Sequence, residues 1–448
     1  MRHTHRTARL VALAAASSLV LAACGGDDTD GGSEEAAQPE QSACETFESA
    51  PPPEAGTPIT PPAGVSQADG TLTIGSVLPQ TGNLAFLGPP EFAGLELAVK
   101  EINEAGGVLD KPVTYIEGDS GDAQQDVANP TVDRLLAANA DALIGAASSG
   151  VTKTFLDKAV SRGAIVFSPA NTSPDFTTID DKGLYFRTAP SDVLQGRVLG
   201  ETIVADGHEN VAILSLQDPY GEGLALNAGR AICAGGSNIP VDTVFYDPAS
   251  PNFDAQVGEI KAADPDAVIL IGFEESAKII QAMVAQQIGP QEVPLYLVDG
   301  NLGNALGEDL PEGVLEGTKG SLPGAEATGE FREQLATVDP ALQDFSYSGE
   351  TYDAVIVTAL AAIAAKSDAA DMIAAQIPDA TRGGTKCTTF AECKELAAAG
   401  TDFDYDGVSG PIELSDVGDP TEATIGIYSY GPDNKLTEEV DYVEGSLK

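Results

Sequence analysis

The sequence predicts an α/β protein of two lobes, each a doubly wound parallel sheet covered by helices. Three observations predict it. Short β-rich runs alternate with helical stretches, which is the pattern of βαβ units. The alternation restarts after Asp192. The folded part, from about Thr71 onward, is roughly 375 residues, enough for two domains of ordinary size.

The first block reads strand 72–78, helix 91–102, strand 112–116, helix 127–138, strand 142–145, helix 151–161 and strand 164–167. Within the first helix, Leu95, Leu97, Ala98, Val99 and Ile102 supply the apolar face. The second block reads helix 193–205, strand 210–216, helix 223–233, strand 241–246, helix 253–263, strand 267–271, helix 276–287 and strand 295–298. Helices over 331–335 and 351–365 follow. From Gly410 the chain reads as a hairpin: Ile412-Glu413-Leu414, a turn around Gly418-Asp419-Pro420, then 423–430.

Ahead of the folded part, Arg2, Arg6 and Arg9 precede a short apolar run, 10–21, that ends in Leu21-Ala22-Ala23-Cys24. The run is shorter than the roughly 20 residues needed to cross a bilayer core. It reads as a cleavable export signal, 1–23. Small residues before a cysteine at this place resemble the lipobox of bacterial lipoproteins, which implies lipid on Cys24 and a membrane anchor. No later stretch is long and apolar enough to span a membrane. Residues 24–70 are rich in Asp, Glu, Pro, Gly, Ser and Ala and carry no Lys or Arg. Such a segment buries too little to offset its ordering entropy, so it is expected to be an acidic tether.

The formal net charge of −46 argues against a nucleic-acid partner, which needs a basic footprint, and against charge-driven binding to anionic lipid. Of five cysteines, lipidation of Cys24 leaves Cys44, Cys233, Cys387 and Cys393. An even number in an exported chain permits two disulfides, and four cysteines allow three pairings. Cys387 and Cys393 are close enough in sequence to clip a short loop. Cys44 would then pair with Cys233 and pin the tether to the body.

Six segments, in order, resemble the branched-chain amino acid-binding proteins of ABC importers, in the type I periplasmic binding protein superfamily. They are Ile74-Gly75-Ser76-Val77-Leu78-Pro79-Gln80-Thr81-Gly82, then 98–108 (AVKEINEAGGV), 144–150 (IGAASSG), 168–174 (SPANTSP), 186–192 (FRTAPSD) and 218–223 (DPYGEG). The resemblance covers most of the chain from Thr71. It implies two lobes joined by three crossovers, with lobe 1 at 72–190 plus 324–410, lobe 2 at 191–323 plus 411–448, and a ligand between them. It also implies a monomer that hands a small molecule, an amino acid of branched-chain type by default, to an ABC permease, with short amides, urea and aromatic or carboxylic acids as alternative ligands. No cofactor or metal is expected.

An amino acid is a zwitterion, so its pocket needs donors for a carboxylate and an anion for an ammonium. Ser148-Ser149-Gly150 follows a strand and opens a helix, whose free N–H groups and positive dipole end suit a carboxylate. Ser149 adds a hydroxyl, or else simply caps the helix. By the resemblance, the Ala170 backbone and the Thr172 hydroxyl bind the same carboxylate. Thr172 otherwise reads as a turn residue before Pro174. Asp299, after strand 295–298, aligns with the acidic ammonium ligand. Asp192, at the first crossover, aligns with a position near the amine, and its alternative role is a helix cap. Tyr220 and Phe273 align with residues framing the ligand from lobe 2, Phe86 and Leu87 with the lobe-1 wall. Leu87 stands where better-known members carry Tyr, which leaves the ligand side chain open.

Rival classes have less support. Only His208 survives removal of the signal, and the chain has neither a Gly-x-Ser-x-Gly turn nor a phosphate loop, so no enzyme is expected. A sensor ectodomain would need a partner for signalling. Asp402-Phe403-Asp404-Tyr405-Asp406-Gly407 with Glu413 fits the calcium-loop pattern literally. Pro411 lies inside that loop and a turn follows it, which favours a crossover segment.

Overall fold

The computed structural model describes residues 43–66 and 68–447. The expected signal, the lipidation site Cys24 and the first part of the tether lie outside the described residues. Two separate apolar cores organise the chain. One gathers buried residues from Leu72 to Phe186 and from Phe331 to Leu414. The other gathers Ala43, Phe47 and residues from Ala189 to Leu322, with Tyr430, and takes in Leu84, Leu87, Ala147, Ala170 and Tyr347 from the facing edge of the first lobe.

In lobe 1, β1 (Thr73–Val77), β2 (Thr114–Ile116), β3 (Ala142–Gly145), β4 (Ile165–Ser168) and β5 (Tyr185–Arg187) form a parallel sheet in the order β2-β1-β3-β4-β5. Every residue of β1, β3 and β4 is buried, as expected for strands covered on both faces. Helix α1 (Cys44–Ser49) precedes this sheet, and α2 (Gly88–Glu104), α3 (Ala128–Ala137) and α4 (Ser149–Ser161) alternate with its strands. Lobe 2 opens with α5 (Asp192–Ala205) and continues β6 (Val211–Leu216), α6 (Pro219–Ala234), β7 (Val244–Tyr246), α7 (Asp254–Ala262), β8 (Ala267–Ile271), α8 (Ser276–Ala285), β9 (Leu295–Val298) and β10 (Lys319–Pro323). The chain then returns to lobe 1 for α9 (Gly329–Leu335), α10 (Ser348–Ala365), α11 (Ala370–Ala374), β11 (Thr385–Cys387), α12 (Phe390–Ala398), β12 (Phe403–Gly407) and β13 (Gly410–Pro411). It ends in lobe 2 with β14 (Glu422–Ser429) and β15 (Asp441–Ser446). The lobe-2 sheet runs β15-β14-β10-β9-β8-β6-β7, antiparallel only at β14 and β15.

The three crossovers are therefore the links after β5, after β10 and between Leu414 and β14. The third departs from the expected hairpin and from a boundary at 410/411. Ile412 and Leu414 pack in the lobe-1 core, while β14 pairs with β10 and with β15. The turn between them serves as a strut, because Asp419 receives Arg187. Arg187 is fully buried, with Nε 2.7 Å from Asp419 Oδ1 and Nη2 3.0 Å from Oδ2. The calcium-like segment 402–413 is strand β12 turning into β13; helix α12 precedes it, but a turn and strand β14 follow where a second helix would be needed. Lys386 lies 3.0 Å from Asp404 and 2.7 Å from Asp406.

The last part of the expected tether is seated on the body. Phe47 is buried in the lobe-2 core, and Asp368 Oδ2 accepts from the backbone of Asp69, Gly70 and Thr71. Polar composition hid this, because the contacts are mainly backbone hydrogen bonds and one buried ring. The disulfides are Cys44–Cys233, with Cα atoms 5.6 Å apart, and Cys387–Cys393, at 5.4 Å.

Candidate functional site between the lobes

Open parallel sheets bind ligands beyond the carboxyl ends of their strands, where the strand order reverses. Both lobes present those ends to one another. The segments after β1, β3 and β4 of lobe 1 and after β6, β8 and β9 of lobe 2 supply ten of the eleven residues around a small, tightly closed cavity of about 10 Å³. Its wall comprises Leu84, Leu87, Ala147, Ser148, Ser149, Ala170, Tyr220, Phe273, Asp299 and Gly300, with Tyr347 from the start of α10.

The donor side is built on α4. Ser148 is the cap, its Oγ accepting from Val151 N at 3.3 Å. Ser149 is thus relieved of capping, and its Oγ accepts from Ser173 N at 3.3 Å. The Ala170 N–H is engaged by Ser168 Oγ at 3.2 Å. Thr172 is buried, its carbonyl accepts from Asp192 N at 2.7 Å, and its hydroxyl has no hydrogen-bond partner. Arg187 fixes this loop by donating to the carbonyls of Asn171 and Ser173, at 3.2 and 2.8 Å.

The acceptor side holds two buried carboxylates. Asp299 Oδ1 accepts from Gln195 Nε2 at 2.8 Å and from Tyr220 Oη at 2.7 Å, while Oδ2 accepts from Tyr347 Oη at 2.7 Å. Burial raises its pKa, and these three donors hold it partly down. Asp192 does not cap α5, because Ser191 does, its Oγ accepting from Val193 N. Asp192 is fully buried, and neither carboxylate oxygen has a hydrogen-bond partner. Burial pushes its pKa well above the usual carboxylate range, the Asp299 charge pushes the same way, and Thr172 and Arg187 offset part of this. Thr172 exerts its effect by proximity, since no hydrogen bond of good geometry joins it to Asp192. The guanidinium of Arg187 is already paired with Asp419.

Tyr220 and Phe273 stack with ring centroids 5.6 Å apart and planes 8° apart, forming the lobe-2 wall. Leu87 closes the cavity from lobe 1. Phe86 stands outside this cavity and shares with Phe273 an adjoining, mainly apolar pocket of about 110 Å³. Thr172 and Asp192 also do not reach the cavity wall. Sequence reasoning missed Tyr347 and Gln195. Gln195 lies one helical turn after Asp192, a spacing that shares a face. Tyr347 carried no signal, since its place depends on a positive φ of 58° just before α10. His208 lies at the opposite edge of the lobe-2 sheet, before β6, 3.8 Å from Asp266. Hydroxyl and helix-end groups from lobe 1 and the Asp299 carboxylate from lobe 2 thus line the same cavity, with Asp192 behind its wall.

Comparison with known proteins places this architecture. The Halobacterium salinarum chemotactic signal transduction system substrate-binding protein BasB is 27% identical over 363 residues, 77% of this chain and 83% of that protein. The structure of the Streptococcus pneumoniae branched-chain amino acid transporter substrate-binding protein LivJ, in complex with isoleucine, superposes with a TM-score of 0.67 at 20% identity, over 84% of this chain and 100% of that one. An R. palustris ABC-transporter solute-binding protein in complex with benzoate superposes at 0.64 and 18% identity, over 84% of this chain and 98% of that one. These two likenesses establish the two-lobed fold. The sequence profile of the family described as periplasmic binding protein matches residues 71–428, and the chain belongs to that family of extracytoplasmic solute-binding proteins.

Proposed function

We propose that the protein captures an amino acid as a zwitterion between its lobes, branched-chain by default, and delivers it to an ABC permease. The observation that carries this reading is a pair of buried carboxyl groups, Asp299 on the cavity wall and Asp192 behind it with no hydrogen-bond partner. Burial disfavours the charged form of both, and a ligand ammonium would supply the counter-charge that keeps them ionised. The fold alone does not choose the ligand, since a similar fold holds isoleucine in one protein and benzoate in another. Two ionised carboxylates would favour a ligand that carries a cation over benzoate, which has none, and this supports the amino-acid reading. Ser149 and the N-terminus of α4 then serve the carboxylate, with the unpartnered Thr172 hydroxyl just behind the wall to join them once ligand widens the cleft, and Tyr220, Phe273 and Leu87 around the side chain.

We further propose that lipid on Cys24 holds a monomer at the outer face of the membrane. Metabolic labelling with a fatty acid checks this, and undiminished label on Cys24→Ala refutes it. A thermal-shift screen over leucine, isoleucine, valine, phenylalanine, short amides, urea and benzoate tests the ligand class. Stabilisation by an amino acid is expected. Stabilisation by benzoate or by amides alone would overturn the zwitterion. The likeness to BasB favours a second reading, a receptor that reports ligand to a signalling partner. Loss of amino acid uptake in a strain lacking the protein separates transport from sensing.

A further inference from the structure

The lobes are linked by more than the three crossovers. We propose that residues 43–66 act as a stiff strut across the hinge, a fourth link that limits how freely the lobes move against each other.

The segment is anchored first on lobe 2. Cys44 is bonded to Cys233 of α6, and Ala43 N donates to Ile239 O at 3.0 Å. The Phe47 ring fills the space over Gly229, where a Cβ would lie 2.4 Å from the ring. Arg230 of α6 donates to the Pro51 carbonyl. The same segment is then anchored on lobe 1. Gly56 approaches Thr177 so closely that a Cβ would lie 2.0 Å from its carbonyl oxygen. Gly64 N and Ser66 Oγ donate to the Asp371 carboxylate at 2.8 and 2.9 Å.

Between the last lobe-2 anchor and the first on lobe 1 the sequence is Pro51-Pro52-Pro53-Glu54-Ala55-Gly56. Proline fixes φ and confines the residue before it to extended conformations. Over Pro51–Pro53 such a run behaves as a semi-rigid rod of about 3.1 Å per residue, here about 9 Å, and Glu54-Ala55 completes the short link to Gly56. A flexible linker of this length would constrain the lobes only weakly. A rod fixed at both ends resists both approach and separation of its anchor points. It also lies where hinge motion occurs. Pro51, Pro53 and Glu54 line one groove together with Ser191 of the first crossover and Val417 and Asp419 of the third.

None of these contacts uses a residue assigned to ligand, so the strut can be tested on the ligand-free full chain. Two variants are compared with the wild type: C44S/C233S, which frees the lobe-2 anchor, and P51G/P52G/P53G, which keeps the disulfide and softens the rod. Amide hydrogen exchange at 188–191 and 415–421 should quicken at least about tenfold in both, with protection in the central strands of each sheet unchanged. Small-angle scattering should show a broader distribution of interlobe distances. If the first variant does not fold, the second decides. Unchanged exchange at the crossovers, with only the amides of 43–66 opening, would overturn the proposal.

Discussion

Replacing Asp192 by Asn separates binding from folding, because the two should move in opposite directions. Asn keeps the shape and removes the charge. In the protein without ligand, neither Asp192 oxygen has a hydrogen-bond partner, so the change breaks no hydrogen bond. Burial, reinforced by Asp299, raises the native pKa of Asp192 above that of the unfolded chain, near 3.9. A raised carboxylate pKa means that the native state holds its proton more tightly, so stability falls as pH rises above about 4. Asp192→Asn removes that loss. Its melting temperature should exceed that of the wild type at about pH 7, and the gap should close near pH 4. Binding should change the other way. A charge pair at about 5 Å with an effective dielectric constant of about 20 is worth about 3 kcal/mol. Loss of that attraction weakens an ammonium ligand by about 150-fold. Scanning calorimetry at both pH values and titration calorimetry with the best ligand of the screen read the two effects. A variant that melts lower than the wild type at neutral pH and binds with unchanged affinity would refute the reasoning.

Three further outcomes are expected. Thr172→Val removes a buried hydroxyl that has no partner, so stability should hold while affinity drops by about 1.5–3 kcal/mol, the worth of a hydrogen bond to a charged group, as titration calorimetry would show. Arg187→Met strands Asp419 and frees the 171–173 loop, and chemical denaturation should show a loss of about 3–5 kcal/mol. Burial pushes Asp141 and Glu350 up to about 8 and Asp218 and Asp353 up to about 6. Each favours the native state while protonated, so a melting-temperature series should decline from about pH 5 to about pH 8, and a steady rise over that range would contradict these directions.

The alternation of buried strands and helices was legible because strands covered on both faces must be continuously apolar. β3, β8 and β9 read that way, β4 and β6 do so but for one serine each, and β1, with Thr73 and Ser76, is buried throughout without being continuously apolar. β15 was not legible. It is an edge strand, Asp441-Tyr442-Val443-Glu444-Gly445-Ser446, whose residues are all at least partly exposed, so no core imprinted a pattern on it. The 410–430 region misled for a related reason. A Gly-Asp-Pro turn between two apolar runs signals a hairpin locally, whereas the Arg187–Asp419 pair, 232 residues apart in sequence, makes it a crossover. At the site, residues following strand ends could be read from sequence together with family likeness, and the structure brings Ser149, Ala170, Tyr220, Phe273, Asp299 and Leu87 to one cavity. Tyr347 was beyond reach because its contribution is tertiary: it comes from lobe 1 to bond the lobe-2 residue Asp299.

That last contact ties recognition to closure. Asp299 is held by two donors from its own lobe, Gln195 and Tyr220, and by one from the other, Tyr347. A second tie across the cleft runs from Glu274 N to Asn83 O at 3.2 Å. When the lobes part, Asp299 loses one donor and regains water. When they close, it is desolvated beside Asp192, and two buried carboxylates face one another. On the proposed amino-acid reading, closure without a cation would work against a rising electrostatic cost, while closure on an ammonium would convert the same burial into attraction, so that closing would depend on the ligand.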